Sequence, residues 1–196
     1  MEKQKKISMD GDTSIIGNPS LEMKFINPQA IIDTIEITEG MTIGDFGCGT
    51  GYFSFPLAKK VGQSGIVYAV DILKEKLEVV ESEAKILGLD NIIVKRANLE
   101  LIGGSNLEGE SLDWVCLVNM LFQNKNKSLV IEEAVRVLKK GGRMLVVEWS
   151  GDNHFGPEKK MRVTQDEISK LALNAGLSFL QEIKISNFHY GIILGK

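Results

Sequence analysis

The segment Gly44-Asp45-Phe46-Gly47-Cys48-Gly49-Thr50-Gly51-Tyr52 carries the strongest chemical signal in the chain. Alternate glycines let the backbone turn tightly and let a ligand approach the main chain closely. The segment follows an apolar run and opens a helical pattern, so its N–H groups stand free at a helix N-terminus. Its spacing fails the dinucleotide fingerprint, which needs a third small residue where Tyr52 sits. No Gly-Lys-Ser/Thr follows, so it is not a P-loop. Asp71 ends the next apolar run, about twenty residues beyond Gly51, where an α/β nucleotide fold places a carboxylate for ribose hydroxyls. Together these residues point to a nucleoside-bearing ligand without a pyrophosphate.

Alternating elements must hold these residues. Strands are predicted over Met41–Phe46, Ile66–Val70, Ile92–Lys95, Leu112–Val118 and Arg143–Glu148. Helices are predicted over Pro28–Ile37, Tyr52–Val61, Leu73–Leu87 and from a Ser128 cap to Lys139, the last ended by Gly141-Gly142. Asn27 caps the first helix, with Pro28 at its first position. Pro56 fits its helix only in the first turn. Gly88 reads as a C-cap. Residues 100–111 read as a loop. Thr164 with Glu167 forms a capping box for a helix to Ala175. Two strand-like runs, Leu177–Ile185 and Phe188–Leu194, meet at Ser186-Asn187. This alternation builds a parallel α/β sheet with helices on both faces, and its ligands sit outside the carboxyl ends of the strands. Residues 1–24 lack periodicity and read as a flexible arm ahead of one domain, residues 25–196.

At these motifs the chain resembles the class I S-adenosylmethionine-dependent methyltransferases. Within them it is similar to the group around the ubiquinone/menaquinone-biosynthesis methyltransferases. The likeness spans about residues 25–195. Asp45-Phe46-Gly47-Cys48-Gly49-Thr50-Gly51 matches the first motif and Tyr68-Ala69-Val70-Asp71 the second. Lys95-Arg96-Ala97-Asn98 stands at the third, with Asn98 where Asp is common. Asp113 to Asn119 matches the fourth strand. Leu138 to Arg143 matches the Leu-Lys-Pro-Gly-Gly stretch, with Lys140 in place of proline.

The resemblance implies a Rossmann-like doubly wound sheet of seven strands in the order 3-2-1-4-5-7-6, with the last strand antiparallel. It implies S-adenosylmethionine as the cofactor. Gly47, Gly49 and Gly51, opening onto Tyr52, would cradle its methionine half, and Asp45 would position its amino group through water. Asp71 would hold the ribose and Ile72 would pack on the adenine. Asn98 and the Leu99 amide would read the adenine edge, and Asn119 would lie near the methionine head. Asp45, Asn98 and Asn119 also suit plain capping or turn-forming roles. In the family the arm folds over cofactor and acceptor.

The acceptor side is less defined. Asn119, Phe122, Gln123, Glu148, Trp149, His154 and Phe155 fall after strands four and five. Methyl transfer from a sulfonium needs alignment more than functional groups, and a base only where the acceptor sheds a proton. His154 and Glu148 are the candidate bases, and His189 reads as structural. A net charge of −3 argues against a large nucleic-acid footprint. The Lys139-Lys140-Arg143 cluster reads as a helix C-terminal charge preference. Cys48 and Cys116 form no metal motif and read as buried free thiols of a cytoplasmic protein. There is no secretory signal and no run long enough to span a membrane. A small-molecule acceptor is therefore expected, without nucleic acid, metal or membrane. Methylation of RNA or protein, and cofactor binding without turnover, are the alternatives.

Overall fold

The computed structural model describes residues 26–151 and 155–196; the expected arm and His154 lie outside the described residues. The chain runs α1 (Pro28–Thr34), β1 (Thr42–Phe46), α2 (Ser54–Val61), β2 (Ile66–Asp71), α3 (Lys74–Leu87), β3 (Ile92–Arg96), β4 (Leu112–Val118), α4 (Lys127–Val137), β5 (Leu138–Trp149), α5 (Gln165–Asn174), β6 (Ser178–Ser186) and β7 (His189–Gly195). The sheet has seven strands in the order β3-β2-β1-β4-β5-β7-β6, as expected. β7 runs antiparallel to β5 and β6, and the remaining pairs are parallel.

Strand alternation divides the core between two faces. Phe46, Leu117, Val146 and Ile192 pack with α4 and α5, while Ile43, Trp114, Leu145 and Ile193 pack with α1 and α2. Ala69 meets Leu77 and Val80 of α3. Several termini follow the sequence signals. Asn27 accepts the Ala30 N–H at 3.2 Å, Thr164 accepts the Glu167 N–H at 3.2 Å, and Gly88 closes α3 in the left-handed region. Pro56 does lie in the first turn of its helix.

Several expectations on element ends need correction, among them the start of α2, at Ser54 rather than Tyr52, and of β5, at Leu138 rather than Arg143. α1 stops at Thr34 rather than Ile37. Ile35 and Ile37 are both buried with Glu36 exposed between them, so an extended backbone places both isoleucines in the core. α4 begins at Lys127 without a Ser128 side-chain cap and ends at Val137, and β5 follows at once. Leu112 pairs with Leu138 but Trp114 pairs with Arg143, so Lys139 to Gly142 form an irregularity in the strand. The basic cluster is thus not at a helix end. Lys139 pairs with Asp113 at 2.7 Å and Arg143 with Glu36.

The connection from β3 to β4 is held from below by Glu133 of α4. Its buried carboxylate accepts the N–H groups of Gly103 (2.6 Å) and Ser105 (3.0 Å), the Ser105 hydroxyl, and Arg136 Nε at 2.8 Å. Burial opposes its charge, but Arg136, Ser105 and the two amides prevail and hold its carboxyl down at about 2. This network fixes the loop that begins at Asn98.

Candidate functional site

The strand order reverses between β1 and β4, since β1 leads outward to β2 and β3 while β4 leads to β5. Loops leaving adjacent strands diverge there and open a crevice at the carboxyl edge. A cavity of about 970 Å³ occupies it. Its wall collects the carboxyl ends of the five strands that run parallel to one another: Gly47 to Thr50 after β1, Asp71 to Leu73 at the end of β2, Ala97 to Glu100 after β3, Val118 to Met120 at the end of β4 and Trp149 of β5. That volume is at the upper end for ligand clefts and accommodates a nucleoside cofactor with a second small molecule.

The glycine loop is built for close approach. Gly47 has φ +75°, and a Cβ there would sit 2.8 Å from Met120 Cβ. Gly49 has φ +54° and faces open space. The loop is fastened by Gly47 and Cys48 N–H bonds to Val70 O and by the Gly49 N–H, which donates to Asp71 Oδ2 at 2.9 Å. Asp71 Oδ1 also accepts the Leu73 N–H at 2.9 Å. Asp71 therefore shapes the loop as well as facing the cavity. Each oxygen keeps a second lone pair for a ligand hydroxyl.

Tyr52, Ile72, Asn98, Leu99 and Asn119 also line the cavity. The Tyr52 hydroxyl donates to Ile26 O at 2.8 Å and ties the first described residue to the rim. Ile72 is 53% exposed, so it offers a free apolar face to a planar ring. Asn98 Oδ1 accepts the Glu100 N–H at 3.0 Å, so turn formation and cavity lining coexist in one side chain.

Two expected residues are not on the cavity wall. Asp45 is buried beneath the loop and accepts the Ser54 hydroxyl at 2.6 Å, which anchors the start of α2. Burial foremost, with the charge of Asp71, lifts its carboxyl to about 6. Gly51 has φ +88°, and a Cβ there would lie 2.7 Å from the Phe55 ring, so packing against α2 demands the glycine.

On the acceptor side, Gln123 and Trp149 line the cavity, whereas Phe122 packs on the core and Phe155 stacks with Phe188 at 5.1 Å. Glu148 faces the opposite side of the sheet from Trp149. Its Oε1 accepts the Leu121 N–H at 2.7 Å, which holds the turn Leu121–Gln123 rather than serving as a base in the cavity. Burial raises its carboxyl to about 7. A raised folded value stabilises the fold fully below the usual 4.5 and withdraws that support as pH rises through about 7. Glu148→Gln keeps an acceptor for Leu121 and removes the titration. Its unfolding free energy in urea is expected to fall less than that of the parent between about pH 5 and about pH 8, by on the order of a few kcal/mol. Parallel curves for the two proteins would contradict this.

The cavity also contains a residue that the sequence left as structural. His189, the first residue of β7, is placed against Trp149 by the β5–β7 register, with ring centroids 4.1 Å apart. It lines the cavity and approaches Asn119 Nδ2 at 3.3 Å. The only sequence signal for this was the hairpin register, which periodicity alone does not supply.

Comparison with known proteins agrees with this architecture. Residues 37–184 match the family model described as a methyltransferase domain, and the chain belongs to that family. It is 29% identical over 139 residues to an arsenite methyltransferase of Aquipseudomonas alcaligenes, covering 67% of this chain and 38% of that protein. It is 32% identical over 126 residues to a demethylmenaquinone methyltransferase of Oceanobacillus iheyensis, covering 62% and 50%. The chain thus spans half or less of the length of these two relatives. Among solved structures, an S-adenosylmethionine-dependent methyltransferase from Aquifex aeolicus superposes with TM-score 0.81 at 23% identity, over 91% of this chain and 93% of that one.

Proposed function

We propose that the protein transfers a methyl group from S-adenosylmethionine to a small-molecule acceptor by in-line displacement. The observation that carries this reading is the shared wall. Asp71, the Gly47–Gly49 turn and Asn98 border one continuous cavity that runs on past Asn119 to Trp149. Gly49 leaves room where any side chain would project, and Asn119 Oδ1 is buried without a protein partner among the described residues. Both suit the amino-acid half of the donor. Asp71 then accepts from the ribose, while Ile72, Asn98 and the Leu99 amide meet the adenine. When bound, S-adenosylmethionine supplies a methyl group on a positively charged sulfur. The protein's part is to align the two reactants and exclude water.

The acceptor end favours a small neutral molecule. Among the described residues the charged ones on the cavity wall are Asp71 at the end of β2, Lys76 of α3 and Glu100 after β3. Trp149, His189 and Gln123 bound the other end without charge at neutral pH, a poor match for a polyanion such as RNA. The cysteines help choose between acceptor types. Arsenic is held by thiolates, the soft ligands. Cys116 is fully buried, and burial drives its thiol well above the usual range. Burial, reinforced by Asp45 and Asp71, also pushes up the Cys48 thiol, which donates to Gly49 O at 3.6 Å. Cys48 is the one cysteine on the cavity wall and Cys116 lies away from it, so the described residues offer no set of thiols to hold arsenic, which favours a carbon, oxygen or nitrogen acceptor over arsenite. Buried free thiols fit a cytoplasmic setting. Among the described residues no helix is long and apolar enough to cross a membrane.

A labelled-methyl screen tests the reading. Protein and labelled S-adenosylmethionine are incubated with metabolite, RNA and protein fractions of a cell extract. Label is expected in the metabolite fraction. Label confined to RNA or protein, or none in any fraction, would overturn it in favour of a macromolecular acceptor or a non-catalytic binder.

A further inference from the structure

The reading of Asn119 as a neighbour of the donor's amino-acid head leaves open what orients its side chain. Asn119 follows β4 with φ +50°, a conformation that non-glycine residues adopt at a cost and that concentrates at functional sites. Its main chain is fixed on both sides, by its N–H to Val147 O at 2.8 Å and by Gln123 Nε2, which donates to its carbonyl at 3.0 Å. Among the described residues its side chain meets a single protein partner, His189 Nε2. The other end of the amide, Oδ1, is buried and unpartnered. A buried acceptor without a donor is unfavourable, so such an atom points to a donor that arrives with a ligand.

The histidine is itself constrained. Ser186 Oγ lies 2.9 Å from Nδ1 and already accepts the Phe188 N–H at 3.2 Å. Trp149 covers the ring. Burial first, and then the positive charge of Arg162, push the imidazole down to about 4, so it is neutral and carries one N–H and one lone pair. With the proton on Nδ1 toward Ser186, the Nε2 lone pair receives Asn119 Nδ2–H, and the polar atom left for a ligand at this cavity-lining residue is Oδ1. With the proton on Nε2 the amide would turn over and present N–H groups, which repel an ammonium.

We propose that His189 is a positioning residue for the methyl donor: with Ser186 behind it, it holds the Asn119 amide so that Oδ1 receives the ammonium of the donor's amino-acid head. This rests on the S-adenosylmethionine reading above. In this role His189 needs no contact with the methyl group. It acts through Asn119, and it discriminates between ligands with and without the amino-acid head.

The test uses two ligands that share the nucleoside and thioether. S-adenosylhomocysteine carries the ammonium; methylthioadenosine lacks the amino-acid head. His189→Phe keeps a ring against Trp149 and removes the acceptor nitrogen. It is expected to weaken S-adenosylhomocysteine binding by about tenfold, in line with a lost hydrogen bond to a charged group, and to leave methylthioadenosine binding unchanged. His189→Gln, whose amide oxygen can accept from Asn119, is expected to recover part of the loss. Nitrogen NMR of the imidazole should show Nδ1 protonated and Nε2 bare. Equal losses for both ligands, no loss for either, or a proton on Nε2 would overturn the assignment. If the parent protein binds neither ligand, the donor reading itself fails and the assignment falls with it; parent binding with non-selective variants removes the assignment alone.

Discussion

Asp71→Ala is expected to weaken binding of S-adenosylhomocysteine on the order of tenfold to a hundredfold in calorimetry, since hydrogen bonds to a charged group contribute about 1.5–3 kcal/mol and 1.4 kcal/mol is tenfold. The structure adds a second cause to the loss of ribose contacts. Asp71 also receives the Gly49 and Leu73 N–H groups, so alanine loosens the loop that must meet the amino-acid half. Asp71→Asn retains one acceptor oxygen and turns N–H groups toward the other donor. It should therefore fall between alanine and the parent. The fold as a whole should survive, because both amides can turn to water. An unchanged affinity in Asp71→Ala would remove Asp71 from the binding site.

The largest stability effect is expected at Glu133, away from the cavity. Removing one member of a buried ion pair costs about 3–5 kcal/mol because its partners remain buried without it. Glu133→Ala strands Arg136, the Ser105 hydroxyl and the amides of Gly103 and Ser105 together. For a chain of this size the melting temperature should drop by roughly 6–20 °C. Neighbouring Glu132 is exposed, and Glu132→Ala serves as the control with little change. The parent should show the same dependence through pH. A carboxyl held at about 2 stabilises the fold above the usual 4.5, and that support is lost as pH falls from 4.5 through about 2. A Glu133→Ala protein that melts with the parent would show that the network contributes nothing.

The order of the sheet was legible through the family resemblance, while the alternation of its elements and the location of the cavity were legible because they depend on local signals. Glycines, caps and the alternation of strand and helix lie within short windows of sequence, and Asp71 is marked by its distance from the loop. Tyr52, Ile72, Asn98, Leu99 and Asn119 lie on the cavity wall. What was not legible depends on contacts between distant segments. Asp45 and Gly51 belong to the motif, yet one turns inward to Ser54 and the other packs on Phe55, which a linear motif cannot distinguish from facing a ligand. Glu133 looks like any helix acid until the 100–111 loop is folded over it. Glu148 and Trp149 are adjacent in sequence and face opposite sides of the sheet, so the acid holds a turn while the indole faces the cavity. His189 gains its meaning only from the antiparallel register that sets it beside Trp149, seventy positions from Asn119.

Equilibrium binding bears most directly on the central claim that this cavity holds S-adenosylmethionine. One protein preparation is titrated calorimetrically with S-adenosylmethionine, S-adenosylhomocysteine and NAD. The expected result is saturable binding of the first two and none of NAD, with binding of the two lost or weakened in Asp71→Ala. Binding of NAD in their place, or failure of both sulfur nucleosides to bind, would contradict it.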